Sequence, residues 1–118
     1  MGIGYILVNA TKRERVSFAH VAASTSRELA GLPAAAAITT WYLLQHSGDQ
    51  IAFVSDTYDD WPWGDGVRPD LSAYPDVTDQ VVEGLIQVGI LADDGRDVFD
   101  PSEPAVYVRR LRNVWMRA

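Results

Sequence analysis

The feature that most limits how this chain can fold is an apolar run over residues 34–44, interrupted only by two threonines. Pro33 stands directly before the run and Gly48 follows it, a pattern typical of a helix start and a helix stop. A helix with almost no polar face has to be covered by other elements. We therefore expect this segment to form a buried central helix.

Short β-rich segments lie on both sides of this helix in the sequence. Residues 4–9 and 15–19 are separated by a polar stretch and predict an N-terminal hairpin. Residues 50–55 are continuously apolar and predict a central strand, because strands covered on both faces lack polar alternation. Residues 105–115 alternate in hydrophobicity and predict a last strand, while residues 93–97 before it predict a turn.

Two further helices are indicated by their end signals. Thr25 stands three residues before Glu28, the spacing of a capping box, and predicts a short helix. A later helix is capped by Asp76 or Thr78, carries apolar residues at helical spacing and ends at Gly89.

Together these elements predict one α+β domain over residues 1–118. We expect a mixed, mostly antiparallel sheet with the N-terminal hairpin, the buried central helix and a second helix. With 118 residues, 47% of them hydrophobic, the chain is long enough to bury one core without disulfides.

The charges are distributed unevenly along the chain. The net charge is −6 at pH 7, yet residues 49–104 contain fourteen acidic residues and two arginines, a balance of −12. The flanking segments are basic, +2 over residues 1–48 and +4 over residues 105–118. Nucleic-acid binding needs a continuous basic surface, so this balance argues against it. An acidic middle favours a basic protein partner, although acidic residues also keep loops solvated.

The composition excludes several kinds of site. Without cysteine, the chain cannot form disulfides, use thiolate catalysis or build cysteine-based zinc sites. The first residues lack a signal-peptide pattern, and no apolar stretch is long enough to cross a membrane, so we expect a cytoplasmic protein without membrane contact. Nine arginines against one lysine suggest GC-rich bacterial coding. We predict no cofactor, no metal and no catalytic residue, and the oligomeric state stays open.

Residues 56–66, DTYDDWPWGDG, combine four aspartates with two tryptophans and a tyrosine. They belong to a stretch, reaching to Pro75, without helical or strand periodicity, and loops of this length are often functional. Tryptophan and tyrosine are the residues that most often dominate protein interfaces. We therefore predict a partner-binding surface formed by Tyr58, Asp59, Asp60, Trp61, Trp63 and Asp65.

Two other interpretations stay open. The loop could be a lid on the core, which predicts that both tryptophan rings are buried, whereas a docking surface predicts at least one exposed ring. Alternatively, the chain is a metal-dependent hydrolase or nuclease that holds magnesium with Asp56, Asp59 and Asp60, or with Asp93 and Asp94. A binding protein is favoured over an enzyme, because no general base or lysine accompanies either acidic group.

The first half of the chain resembles a set of small, uncharacterised bacterial proteins. They open M-G-x-G-Y-x-x-V-N-x-T-K, as residues 1–12 do here, and carry a later G-D-x-I-x-x-x-S-D, as residues 48–56 do. The resemblance implies an immunity partner of a polymorphic toxin, an antitoxin-like protein that docks on the toxin and inhibits it.

Overall fold

The computed structural model describes residues 4–56, 58, 61–64 and 67–115. Over these residues it confirms the α+β class, with helices and two small antiparallel sheets. In chain order the elements are β1 (Tyr5–Asn9), β2 (Glu14–Val16), α1 (Ser26–Gly31), α2 (Pro33–Gln45), β3 (Ile51–Ser55), a 3₁₀ helix (Leu71–Ala73), α3 (Thr78–Gln87), β4 (Leu91–Val98) and β5 (Tyr107–Asn113). Among these described helices, none has the length and hydropathy needed to span a membrane.

The first sheet has the strand order β2-β1-β3 and is antiparallel throughout. The predicted N-terminal hairpin is confirmed, with Leu7 of β1 opposite Val16 of β2. On its other side Leu7 lies opposite Phe53, so β1 is the central strand and β3 lies at an edge. The prediction that residues 50–55 form a central strand was therefore wrong about their position. Their apolar character comes from cover on both faces of the sheet.

Alternate residues of β1 and β3 point to opposite faces, because side chains alternate along a strand. We call the side that carries Leu7 and Phe53 the helix face, since it packs against a core to which α1, α2 and α3 contribute. We call the side that carries Val8 and Val54 the loop face. It packs against Leu71 of the 3₁₀ helix and against aromatic residues of the segment between β3 and α3.

The helices on the helix face begin as the sequence predicts. The capping box is confirmed: Glu28 N donates to Thr25 Oγ1 at 3.3 Å, and Thr25 N donates to Glu28 Oε1 at 3.1 Å. In α2, which starts at Pro33, Ile38 is fully buried. Leu44, by contrast, is 65% exposed, so α2 is buried along one side only and not all round as predicted.

The segment that enters α3 is tied to β2. Arg15 N donates to Pro75 O at 2.9 Å, and Val77 N donates to Arg15 O at 2.8 Å. Asp76 accepts hydrogen bonds from Ser17, which directly follows β2, and from Thr78 at the start of α3. Burial opposes ionisation of Asp76, but these hydrogen bonds outweigh it and hold its pKa below the ordinary value. The prediction of Asp76 or Thr78 as the cap was wrong, because the N-cap of α3 is Val77, without a side-chain cap hydrogen bond. Asp76 instead links the start of α3 to the end of β2.

The second sheet is a two-stranded ribbon of β4 and β5. Residues 93–97 were predicted to form a turn, but they lie within β4, which runs from Leu91 to Val98 with an irregularity between Asp93 and Arg96. Gly95 has φ +115° there, a conformation that glycine adopts without steric cost. The last predicted strand thus pairs in a separate ribbon and does not extend the first sheet.

Candidate partner-binding surface

Two tryptophans anchor the loop between β3 and α3 on the loop face. The rings of Trp61 and Trp63 meet edge to face, with centroids 4.9 Å apart, and pack against the cluster of Val8, Val54 and Leu71. Both side chains are partly buried. Both rings lie between the exposed ring that the docking interpretation predicts and the two buried rings that the lid interpretation predicts, so their burial does not distinguish the two interpretations. Their contacts with Val8, Val54 and Leu71 cover part of the core.

Arg68 joins the two ends of the same loop. Its Nη1 donates to Ser55 O at 2.7 Å and to Tyr58 O at 2.5 Å. Tyr58 N in turn donates to Ser55 Oγ at 3.1 Å. The start of the loop is thereby fixed to the end of β3, and the two bonds from the charged Arg68 guanidinium are stronger than bonds between neutral groups.

Of the six predicted site residues, the structure describes Tyr58, Trp61 and Trp63. Tyr58 is 60% exposed, so it is the aromatic side chain of the three that the loop offers to solvent. Asp59, Asp60 and Asp65 lie outside the described residues.

A second acidic region surrounds Arg109 on the ribbon. Arg109 Nη2 lies 2.6 Å from Asp93 Oδ2 and 3.7 Å from Glu83 Oε1, while Nη1 lies 3.5 Å from Asp79 Oδ1. Burial alone would lower the pKa of Arg109, but the Asp93 hydrogen bond and the neighbouring carboxylates raise it above its ordinary value. The guanidinium of Arg109 therefore lies near three carboxylates around a polar cleft of about 520 Å³.

The arginines of β5 also engage the pair of aspartates considered for a metal. Arg109 Nε donates to Asp93 at 3.1 Å, and Arg112 Nε donates to Asp94 at 2.9 Å. As neighbours on a strand, Asp93 and Asp94 project to opposite sides, so they do not converge on one ion. Within the described residues no three histidine, aspartate or glutamate side chains gather as a metal site.

An aromatic stack that sequence reasoning missed lies beside this cleft. The His20 ring is parallel to the Tyr107 ring at 3.8 Å, and the Arg96 guanidinium lies 4.2 Å from the same ring. His20 has φ +65°, an uncommon conformation for a residue with a side chain. Arg109 N donates to His20 O, which explains how this turn is held against β5. Nothing in the sequence near His20 indicated this contact across 87 residues.

A polar network at one end of the β1–β3 pair was also missed. The fully buried Asn9 donates from Nδ2 to Asp49 Oδ2 at 2.8 Å, and Lys12 Nζ lies 2.6 Å from the same oxygen. Nearby, Tyr42 OH donates to Glu14 Oε2 at 2.5 Å. Burial and this hydrogen bond both raise the pKa of Tyr42. Tyr42 is therefore a neutral donor that ties α2 to β2.

These contacts show what some residues of the two motifs shared with the small bacterial proteins do in the structure. Asn9 and Lys12 of the first motif meet Asp49 of the second at one end of the β1–β3 pair. At the other end Asp56 N donates to Gly4 O at 2.9 Å, and a Cβ on Gly4 would collide with the Asp56 carboxylate. The motif residues thus hold the ends of two paired strands together.

The chain was compared with known protein families, with curated proteins and with solved structures, and none of them matches it.

Proposed function

We propose that the protein is a small, acidic, cytoplasmic binding protein of the immunity or antitoxin kind, which docks a basic partner protein through the loop between β3 and α3. The observation that carries the proposal is a difference in charge between two acidic regions. Residues 56–70 contain five aspartates and one arginine, a balance of −4, whereas ribbon residues 91–113 contain five acids and four arginines, a balance of −1.

The ribbon acids are largely satisfied by neighbouring arginines, as Asp93, Asp94 and Asp97 are by Arg109, Arg112 and Arg110. The loop has a single arginine, Arg68, for its five aspartates, and this arginine also donates to backbone carbonyls at the base of the loop. An excess of negative charge in the loop supports attraction of a basic partner, because charges of one sign accelerate encounter with the opposite sign.

The way the loop is anchored supports a binding role as well. Trp61 and Trp63 pack on the sheet and Arg68 fixes the first turn, so Tyr58 projects from a base that is ordered before any partner arrives. A preorganised surface loses less conformational entropy on binding. In this proposal Tyr58, Asp59, Asp60 and Asp65 make the contacts, while Trp61 and Trp63 anchor the loop on the sheet.

The test begins with capture of the partner from lysate of the source cells, followed by binding kinetics with the purified partner. Asp59→Asn combined with Asp60→Asn should slow association and flatten its salt dependence, because these charges act through water. Tyr58→Ala should speed dissociation, at a cost of ~2 kcal/mol in binding.

The ribbon provides matched controls. Asp100→Asn combined with Glu103→Gln removes the same charge, and Phe99→Ala removes an exposed aromatic ring of similar size. Equal effects from the loop and ribbon variants would contradict a docking site in the loop, and so would a partner that binds all variants alike.

A further inference from the structure

β3 has one side that is not paired. Ala10 N donates to Gln50 O and Asp56 N donates to Gly4 O, which fixes the hydrogen-bonded pairs between β1 and β3. Because such pairs alternate along an antiparallel ladder, the even-numbered residues of β3 bond to β1. The backbone groups of Ile51, Phe53 and Ser55 therefore point away from the sheet.

Within the part of the chain that the structure describes, Ile51 and Phe53 have no backbone hydrogen-bond partner on that side. Ser55 O accepts from Arg68 Nη1, so Arg68 closes one end of the edge. No described residue bonds to the outward N–H and C=O of Ile51 or Phe53. β3 contains no charged residue and no proline, the devices with which proteins usually protect an edge strand from pairing.

An apolar groove adjoins this edge on the helix face. It has a volume of about 350 Å³ and lies between α1, α2 and the sheet, with Phe53 of β3 in its wall and no charged side chain in its lining. On the α2 side the wall consists of small residues, Ala36, Thr39 and Thr40. A strand added beside β3 would turn alternate side chains toward this groove.

We propose that β3 pairs antiparallel with β3 of a second copy of the chain, about a twofold axis at Ala52. In this register Ile51 of each copy lies opposite Phe53 of the other. Each pair exchanges two backbone hydrogen bonds, so four bonds use all the unpaired groups of both copies. The result is a continuous six-stranded antiparallel sheet with an isologous interface.

The charges at the ends of β3 favour antiparallel over parallel pairing with a second copy. Antiparallel pairing brings Asp56 of one copy toward the Asp49 end of the other, where Lys12 already neutralises the carboxylate. Parallel pairing would place the two Asp56 carboxylates side by side. The strand itself is uncharged, so two molecules of net charge −6 meet here without placing charged side chains of β3 against each other. This inference does not rest on the proposed function, since it uses β3 and not the loop.

The register can be tested by a disulfide, because the chain has no cysteine of its own. Ala52 would face Ala52 of the second copy in a non-hydrogen-bonded pair, whose Cα atoms are ~4.5 Å apart. That spacing suits a disulfide. We expect Ala52→Cys to become a covalent dimer under mild oxidation. Gln50→Cys encounters other copies in solution equally often but lies opposite Val54 in this register. We expect that it does not form the covalent dimer.

Sedimentation of the unmodified chain over a range of concentrations provides the second measurement. We expect a dimer, and Ile51→Pro should weaken it roughly tenfold or more, since it removes two of the four hydrogen bonds. The Ile51 N–H faces away from β1, so far-UV circular dichroism of this variant should stay unchanged. A chain that stays monomeric overturns the proposal. So does a dimer in which Ala52→Cys cross-links no better than Gln50→Cys.

Discussion

The two faces of the three-stranded sheet are covered by different kinds of structure. On the helix face, regular helices bury Ile38 and Leu7, and their backbone groups are satisfied within the helices. On the loop face, an irregular segment buries Val8 and Val54, and it is held by side chains that bond to the backbone, above all Arg68. The helix face therefore specifies the fold. The loop face depends on a few side-chain contacts that other residues could also make, so its outer surface can change without loss of the core.

The largest expected effect tests whether the two faces differ in stability. Ile38→Ala should lower the free energy of unfolding by ~3 to 5 kcal/mol, because Ile38 is fully buried among regular elements that cannot close the cavity. Leu71→Ala on the loop face should cost only ~2 kcal/mol, because the irregular segment around it can relax. Urea denaturation of the two variants measures both values. Equal losses in the free energy of unfolding would show that the two faces do not differ in stability.

The next effect concerns the tryptophan pair. Trp61→Ala and Trp63→Ala should each cost ~2 kcal/mol of stability, less than a fully buried ring, since both are only partly buried. The double variant should lose less than the sum by ~1 kcal/mol, the value of an edge-to-face pair. If each single change leaves the denaturation midpoint where it was, the rings do not cover the core.

A smaller effect is expected from Arg68→Ala. It removes the hydrogen bonds to Ser55 O and Tyr58 O, so it should cost ~1 kcal/mol globally and open the loop locally. Limited proteolysis should then cut within residues 56–70 faster than in the unaltered chain. Arg27→Ala, an exposed arginine on α1, serves as the control. Cleavage that is equally fast in both variants would contradict the role of Arg68.

The smallest effect is a pH dependence at the point where the loop returns to β2. The pKa of Asp76 is lower in the folded chain than its ordinary value. Its stabilising contribution is therefore present above the unfolded pKa of ~3.9 and is lost as the pH falls through the folded value. Acid titration should weaken the contact between Ser17 and the start of α3. Asp76→Asn should make the stability curve flatter below pH ~4, and an unchanged slope would show that Asp76 does not contribute.

Local signals allowed much of the helix face to be predicted. The Thr25–Glu28 capping box and Pro33 at the start of α2 act through neighbouring residues, so their spacing in the sequence is sufficient. The edge position of β3 was not predictable in the same way, because an apolar strand has one composition whether it lies between strands or between two covering layers. The ribbon was missed because a glycine among aspartates is typical of a turn, whereas Gly95 lies at the irregularity within β4.

The sequence indicates which residues the loop contains, but not which of their side chains face solvent. The sequence places Tyr58, Trp61 and Trp63 in one loop, but which ring faces solvent depends on the pleat of β1 and β3 beneath it. The His20–Tyr107 stack and the Asn9–Asp49 bond join residues far apart in the chain, and periodicity carries no information on such pairs.

The perpendicular contact of Trp61 and Trp63 has an optical consequence. The two indole rings have centroids 4.9 Å apart and planes at 78°. At this distance we expect their electronic transitions to couple and to give a paired circular dichroism signal of opposite signs. The chain therefore has a built-in reporter at the base of its acidic loop. Any event that tilts one ring against the other would be visible without an attached dye.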